Sequence, residues 1–114
     1  MSVDDQTRLR HLLDAANQAM AFAKERERPD LDGDVMLQLA LVRLLEIIGE
    51  AAKGMSQELR VANPELPWRK MTGTRDRLIH GYFDVNLDLV WGTVTEELPV
   101  LVRQIERLLN DTGS

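Results

Sequence analysis

Apolar residues recur at helical spacing in four stretches of the chain, separated by short segments rich in Pro, Gly and Asp. The first stretch runs from residue 4 or 5 to about residue 27 without an internal Gly or Pro, which predicts an amphipathic helix. Its apolar face comprises Leu9, Leu12, Leu13, Ala16, Ala19, Met20 and Ala23. Pro29-Asp30 and Asp32-Gly33 then predict a loop, and Asp34 is a suitable N-cap for a second helix beginning at Val35.

The second helix is predicted to be the most apolar element, extending from residue 35 to about residue 59. One stripe comprises Val35, Leu39, Val42, Leu45, Ile48, Ala52, Met55 and Leu59. Further apolar side chains at Met36, Leu37, Leu41, Leu44 and Ile47 widen this stripe beyond what one neighbouring helix would cover. We therefore expect a second contact surface on this helix.

Prolines at 64 and 67 separate the next helical stretch, because a residue before proline is disfavoured in the helical region and Pro67 can begin a helix. A short third helix is predicted over residues 68 to about 80, weakened at Gly73 and terminated by Gly81. A fourth helix, capped by Asn86, is predicted from residue 87 to about 109, with a bend at Pro99.

No strand-like alternation of useful length and no internal repeat is present in the 114 residues. These patterns predict an all-α protein, a four-helix up-and-down bundle with a short third helix. Length and composition fit a single domain over residues 1–114, with its core within about residues 5–109.

Charge and composition exclude several classes of protein. Fourteen basic and nineteen acidic residues give a net charge of -5, which argues against coating nucleic acid by bulk electrostatics. A local basic cleft is still possible, because Arg69, Lys70, Arg75 and Arg77 lie within nine residues. The polar, acidic N-terminus lacks signal-peptide features and residues 35–48 are too short and charged to span a bilayer, so we expect a cytoplasmic protein with no membrane partner.

Motif spacing leaves little besides histidine chemistry. The chain has no Cys, no phosphate-binding loop and no dinucleotide or serine-hydrolase motif, and its two His lie outside metal-binding patterns. We therefore expect no metal and no cofactor. Histidine titrates near neutrality and can move protons at a ribose 2'-hydroxyl or a leaving oxygen, while nearby guanidinium groups stabilise phosphorane charge. His80, close to Arg75 and Arg77, fits phosphodiester cleavage of RNA.

In a continuous third helix, Asp76 would lie one turn before His80 and could orient the imidazole, with Arg77 on roughly the same face. Arg75 would point about 140° away, so it would meet His80 through its own reach, a bend near Gly81 or, most economically, a second subunit. The same residues also fit a noncatalytic interpretation, in which His80 caps a helix C-terminus and the arginines are solvated.

The string Arg75-Asp76-Arg77-Leu78-Ile79-His80-Gly81-Tyr82-Phe83 resembles the Rx4HxY signature of HepT-like proteins in the HEPN superfamily. Further segments with similarity to this family are residues 43–52, 67–68, 71–75, 88–91 and 97–99. The resemblance covers roughly residues 8 to 109. It implies a HEPN-type bundle in which the short third helix bears the motif.

The resemblance also implies the toxin of a type II HEPN/MNT toxin-antitoxin system. Such a protein is a homodimeric, metal-independent endoribonuclease, with Arg75 and His80 as the catalytic pair at a cleft between subunits and tRNA or mRNA as substrate. Asp76 and Arg77 would support the pair. The antitoxin, an MNT-type nucleotidyltransferase, would neutralise the toxin by transferring AMP to Tyr82. The alternative is a noncatalytic helical partner and modification substrate of a nucleotidyltransferase.

Overall fold

The computed structural model of the chain describes residues 1–80 and 84–113. In chain order the elements are α1 (Val3–Ala23), α2 (Arg28–Asp32), α3 (Val35–Lys53), α4 (Gln57–Ala62), α5 (Trp68–Thr72), α6 (Thr74–Leu78), β1 (Ile79–His80), β2 (Asp84–Val85), α7 (Leu87–Gly92), a π-helical turn (Thr93–Glu97) and α8 (Leu98–Gly113). The two strands form a two-residue antiparallel ladder. The remaining elements are helical, so the predicted all-α fold class is confirmed.

The core is built around α3, which packs along α1 and also contacts α5 and α6. Helix α1 packs on α8 as well, and α2 bridges α3 and α7. The buried apolar side chains form a cluster that draws on all the longer helices, and the most completely buried include Leu9, Leu12, Leu41, Leu45 and Ile105. None of the helices in the described part of the chain is long and apolar enough to span a membrane.

Helix α1 is shorter at its C-terminal end than the apolar pattern predicts. It begins after Ser2, whose hydroxyl accepts a hydrogen bond from the Asp5 N–H, and it ends at Ala23 rather than near residue 27. Glu25 has a φ of 64°, in the left-handed region that interrupts a helix. The predicted loop after it contains the short helix α2, with Pro29 in its first turn, where a missing N–H costs little.

The predicted second helix is divided into two. Asp34 caps α3 as expected, its carboxylate accepting a hydrogen bond of 2.9 Å from the Leu37 N–H. Helix α3 ends at Lys53, however, and the expected extension to residue 59 is wrong. The chain turns at Gly54, and Ser56 caps the separate helix α4. The turn is stabilised by a long-range contact, because buried Asp5 accepts hydrogen bonds from both the N–H and the hydroxyl of Ser56.

The predicted fourth helix is present but includes one wider turn. Asn86 caps α7 as expected, accepting a 3.1 Å hydrogen bond from the Leu89 N–H. The helical path then passes through the π-helical turn before α8 begins at Leu98. Pro99 therefore lies near the start of α8, directly after the π-helical turn.

Candidate functional site

The segment that carries the motif is two short helices and a strand, not one helix. Helix α5 ends at Gly73, α6 covers Thr74–Leu78, and Ile79 is extended, with φ -120° and ψ 123°. The prediction of a third helix reaching residue 80 is therefore wrong. Gly81, its predicted terminator, lies outside the described residues, and the helix ends before it. His80 lies in β1, beyond the end of α6.

This break removes the geometric argument for Asp76. With the helix ending at Leu78, Asp76 and His80 are not one helical turn apart. Asp76 is exposed in the first turn of α6, and its supporting role remains a prediction. His80 is also exposed, on the strand that follows.

Arg75 follows a close approach of α3 to the junction of α5 and α6. The buried hydroxyl of Thr74 donates to the Met71 carbonyl at 2.7 Å, which ties α5 to α6 across the break at Gly73. A Cβ on Gly49 of α3 would lie 2.8 Å from that same Met71 oxygen. Because Gly49 has no side chain, the backbone before Arg75 can contact α3 directly.

The exposed Arg75 lines a small crevice together with residues from α3. Two of these, Glu46 and Glu50, lie one turn apart on α3 and line the same crevice as Arg75. Lys53 completes the α3 side of the crevice. The sequence analysis did not include these glutamates in the site; their signal was a pair of glutamates four residues apart on a largely apolar helix.

The Arg77 side chain contacts α5 and the π-helical turn. Its guanidinium group donates to the Lys70 carbonyl at 3.3 Å and lies 3.9 Å from the carboxylate of Glu97, at the end of the π-helical turn. Lys70 pairs with the same carboxylate at 3.2 Å. Two of the four clustered cations are therefore partly neutralised by the last helical segment. The supporting role of Arg77 at the site remains a prediction.

Tyr82, the predicted AMPylation site, lies outside the described residues. The described residues on either side of this gap, His80 and Asp84, belong to the two strands of the β-ladder. The motif thus combines a short helix bearing Arg75 with a strand bearing His80, and both side chains are accessible to a ligand. Solvent-exposed arginine and histidine groups of this kind can bind a phosphodiester and transfer protons.

Comparison with known proteins identifies relatives along most of the chain. The family model described as "Ribonuclease HepT-like" matches residues 12–108. "Probable ribonuclease HepT" of Thermococcus cleftensis is 42% identical over 87 residues, covering 76% of this chain and 79% of that protein. "Putative RNase TTE0752" of Caldanaerobacter subterraneus subsp. tengcongensis is 39% identical over 101 residues, covering 89% of this chain and 90% of the relative.

A third relative, "Putative RNase MJ1380" of Methanocaldococcus jannaschii, is 35% identical over 95 residues, 83% of this chain and 87% of the relative. No solved structure matches the chain significantly. The family match includes the whole of α6 and both strands, and with them Arg75 and His80. The predicted family is thereby confirmed: this chain belongs to the HepT-like ribonuclease family.

Proposed function

We propose that this protein is an endoribonuclease in which Arg75 and His80 cleave RNA without a metal ion. The observation that carries the proposal is the family match over residues 12–108, which contains both residues on an exposed motif segment. The relatives named as ribonucleases support the same class of substrate.

The chemistry requires only these two side chains and the substrate. The imidazole of His80 accepts the proton of a ribose 2'-hydroxyl, and that oxygen attacks the adjacent phosphorus. The guanidinium group of Arg75 stabilises the additional negative charge on the phosphorane oxygens. The bond from phosphorus to the 5'-oxygen then breaks as the His80 imidazolium returns its proton to that oxygen, giving a 2',3'-cyclic phosphate and a 5'-hydroxyl. The nucleophile belongs to the RNA, so no metal-bound water is needed.

The test is cleavage of total cellular RNA in EDTA by wild type, His80→Ala, Arg75→Ala and the control His11→Ala. His11 is exposed on α1 and provides a second histidine outside the motif. We expect cleavage by wild type and His11→Ala, and loss of roughly 100-fold or more in rate for the other two. Absence of cleavage by correctly folded wild type, or full activity of His80→Ala, would contradict the proposal.

A homodimer completes the proposed site. Helix α3 exposes three apolar side chains near its start: Val35 is 63%, Met36 82% and Leu39 67% exposed. Burial of such a patch against a second copy is favourable. Residues 39, 43, 46 and 50 follow helical spacing, so the patch lies on the face of α3 that continues to the crevice of Arg75. A second copy on this face would bring its own motif segment towards Arg75.

Self-association tests the dimer with a matched pair of variants. Leu39→Glu adds a charge to the apolar patch of α3, whereas Val61→Glu adds one to α4 at the same 67% exposure. We expect Leu39→Glu to raise the dimer dissociation constant by roughly tenfold or more in sedimentation experiments, because the charge must be desolvated in the interface. Equal effects of the two variants would argue against a dimer through α3.

As part of the same proposal, the protein is the toxin of a HEPN/MNT pair, and an MNT-type nucleotidyltransferase inactivates it by adding AMP to Tyr82. Each AMP unit brings a phosphate and a large base close to His80, which repels the RNA backbone and obstructs the cleft. After co-expression with the nucleotidyltransferase, mass spectrometry should detect AMP on Tyr82. Suppressed toxicity with Tyr82 unmodified would refute this part.

The second candidate function is a noncatalytic partner of a nucleotidyltransferase. The exposed apolar patch at Val35, Met36 and Leu39 favours it, because the same surface could bind another protein. Growth after induction of the protein alone separates the two. Arrest that His80→Ala abolishes without unfolding the protein supports catalysis, and arrest that persists in His80→Ala supports the binding function.

A further inference from the structure

The register of the two-residue β-ladder places an acidic side chain opposite His80. Strands β1 and β2 are antiparallel, with Ile79 opposite Val85 and His80 opposite Asp84. The Asn86 N–H donates to the Leu78 carbonyl at 2.8 Å, which extends the pairing by one step towards α6 and α7. The backbone that carries His80 is therefore held by the backbone that carries Asp84.

Burial fixes which side of the ladder each pair occupies. Ile79 and Val85 are half-buried and pack against the core, whereas His80 and Asp84 are exposed. Because neighbouring side chains on a strand point to opposite faces, the His80–Asp84 pair must lie together on the outer face. A shift of one residue in register would turn the two apolar side chains out to solvent, so packing maintains this pairing.

Cross-strand partners have Cβ atoms about 4.5–5.5 Å apart, a separation that a carboxylate and an imidazole can bridge by rotating about their own side-chain torsions. Within the described ranges Asp84 forms no ion pair, either with His80 or with any other residue, so its carboxylate has no competing cation and the His80–Asp84 hydrogen bond requires the two side chains to rotate towards each other. Asp32 and Asp88, by contrast, are held by Arg28.

We propose that Asp84 is a positioning residue for His80: its carboxylate accepts a hydrogen bond from one imidazole N–H and so leaves the other ring nitrogen free to act as the base. The inference rests on the proposed ribonuclease function and adds to it the group that selects the imidazole tautomer. A carboxylate in this role also stabilises the imidazolium that forms when the ring takes the substrate's proton. Asp76, which the sequence suggested for this role, lacks the necessary helical relation to His80.

The direct test is the tautomer of His80, measured by two-bond proton–nitrogen NMR correlations on the full-length protein at a pH where imidazole is neutral. The chain has two histidines, so His80→Ala assigns the signals and His11 is an internal reference. We expect one dominant His80 tautomer in wild type and in Asp84→Glu, and a mixture in Asp84→Ala. The control Asp14→Ala removes an exposed carboxylate of α1 and should leave His80 unchanged.

The kinetic test compares the same variants in RNA cleavage. We expect Asp84→Ala to lower kcat by about 10- to 100-fold with little change in KM, because a misoriented base slows the chemical step and not binding. Asp84→Glu should recover part of the loss. An unchanged tautomer ratio in Asp84→Ala overturns the inference, as does an unchanged kcat. If wild type does not cleave RNA, the proposed function fails, while the NMR result still decides the Asp84–His80 interaction.

Discussion

The contact between α3 and the turn before Arg75 leads to a quantitative prediction for Gly49→Ala. A Cβ at Gly49 would lie 2.8 Å from the Met71 carbonyl oxygen and 3.7 Å from the Thr74 Cβ. The first distance is shorter than a carbon–oxygen contact allows, and the oxygen belongs to backbone that cannot rotate away. Either α5 and α6 move outwards, or the methyl group is accommodated under strain.

The magnitude follows from comparison with Gly92→Ala. Gly92 is also helical, with φ -61° and ψ -40°, and a Cβ there meets nothing within 4 Å. Both substitutions gain about 0.8–1.0 kcal/mol from the higher helix propensity of Ala. Only Gly49→Ala also incurs the overpacking cost of about 1–3 kcal/mol. The propensity gain cancels in the comparison, so Gly49→Ala should be about 1–3 kcal/mol less stable than Gly92→Ala.

Urea unfolding followed by circular dichroism measures this difference, with all proteins at one concentration so that the proposed self-association would affect each of them equally. The m-values should agree, so that midpoint shifts report free energies of unfolding. Gly49→Ala should also slow RNA cleavage, since moving α6 displaces Arg75. A Gly49→Ala protein as stable as Gly92→Ala would show that the contact between α3 and the junction of α5 and α6 is loose, and would contradict a role of Gly49 in positioning Arg75.

Three further predictions concern the core, the buried carboxylate and the charge at the site. Leu41→Ala, at a fully buried position of α3, should reduce the free energy of unfolding by about 2–5 kcal/mol in urea unfolding, and a loss below 1 kcal/mol would contradict the packing described. Burial alone would raise the pKa of Asp5, but its hydrogen bonds with Ser56 and Ser2, together with the charge of Arg8, hold the pKa below the usual value. The pKa of Asp5 is therefore lower in the folded protein than in the unfolded chain, so the Asp5 carboxylate stabilises the fold above about pH 4 and loses this effect as the pH falls through the folded pKa. Asp5→Ala should be less stable than wild type at neutral pH, and acid unfolding experiments should show this difference shrinking. Glu97→Gln should release Lys70 and Arg77 from their ion pairs. If one or two of these cations then bind phosphate, the slope of log affinity for single-stranded RNA against log salt concentration should steepen by about 0.7–1.4. An unchanged slope would show that neither cation reaches the RNA.

Much of the helical framework could be predicted from local sequence. Asp34 and Asn86 were predicted as N-caps, and each accepts a hydrogen bond from the N–H three residues on. These side chains bond within their own turn, so their function depends little on the rest of the fold. The motif residues Arg75 and His80 could also be located, because family resemblance resides in the order of residues.

Other boundaries depend on distant contacts. The end of α3 at Lys53 coincides with a turn held by Asp5, which is about fifty residues earlier in the chain. A local window over residues 35–59 contains no proline, and its apolar period continues through Met55 and Leu59. Both of those side chains are indeed buried, but the pattern could not show that they reach the core from a separate segment.

By itself the sequence determined the all-α class, the positions of most helices, the family and the segment that carries the candidate site. Only the tertiary structure decided how that segment presents its side chains. The stretch from Thr74 to His80 is compatible with a helix, yet Ile79 pairs with Val85 and both pack against the core. Burial of these two side chains outweighs the small local preference for one more helical turn, which is at most a few tenths of a kcal/mol per residue. As a result, the acidic neighbour of His80 is Asp84 across the ladder, and Asp76 remains on the helix.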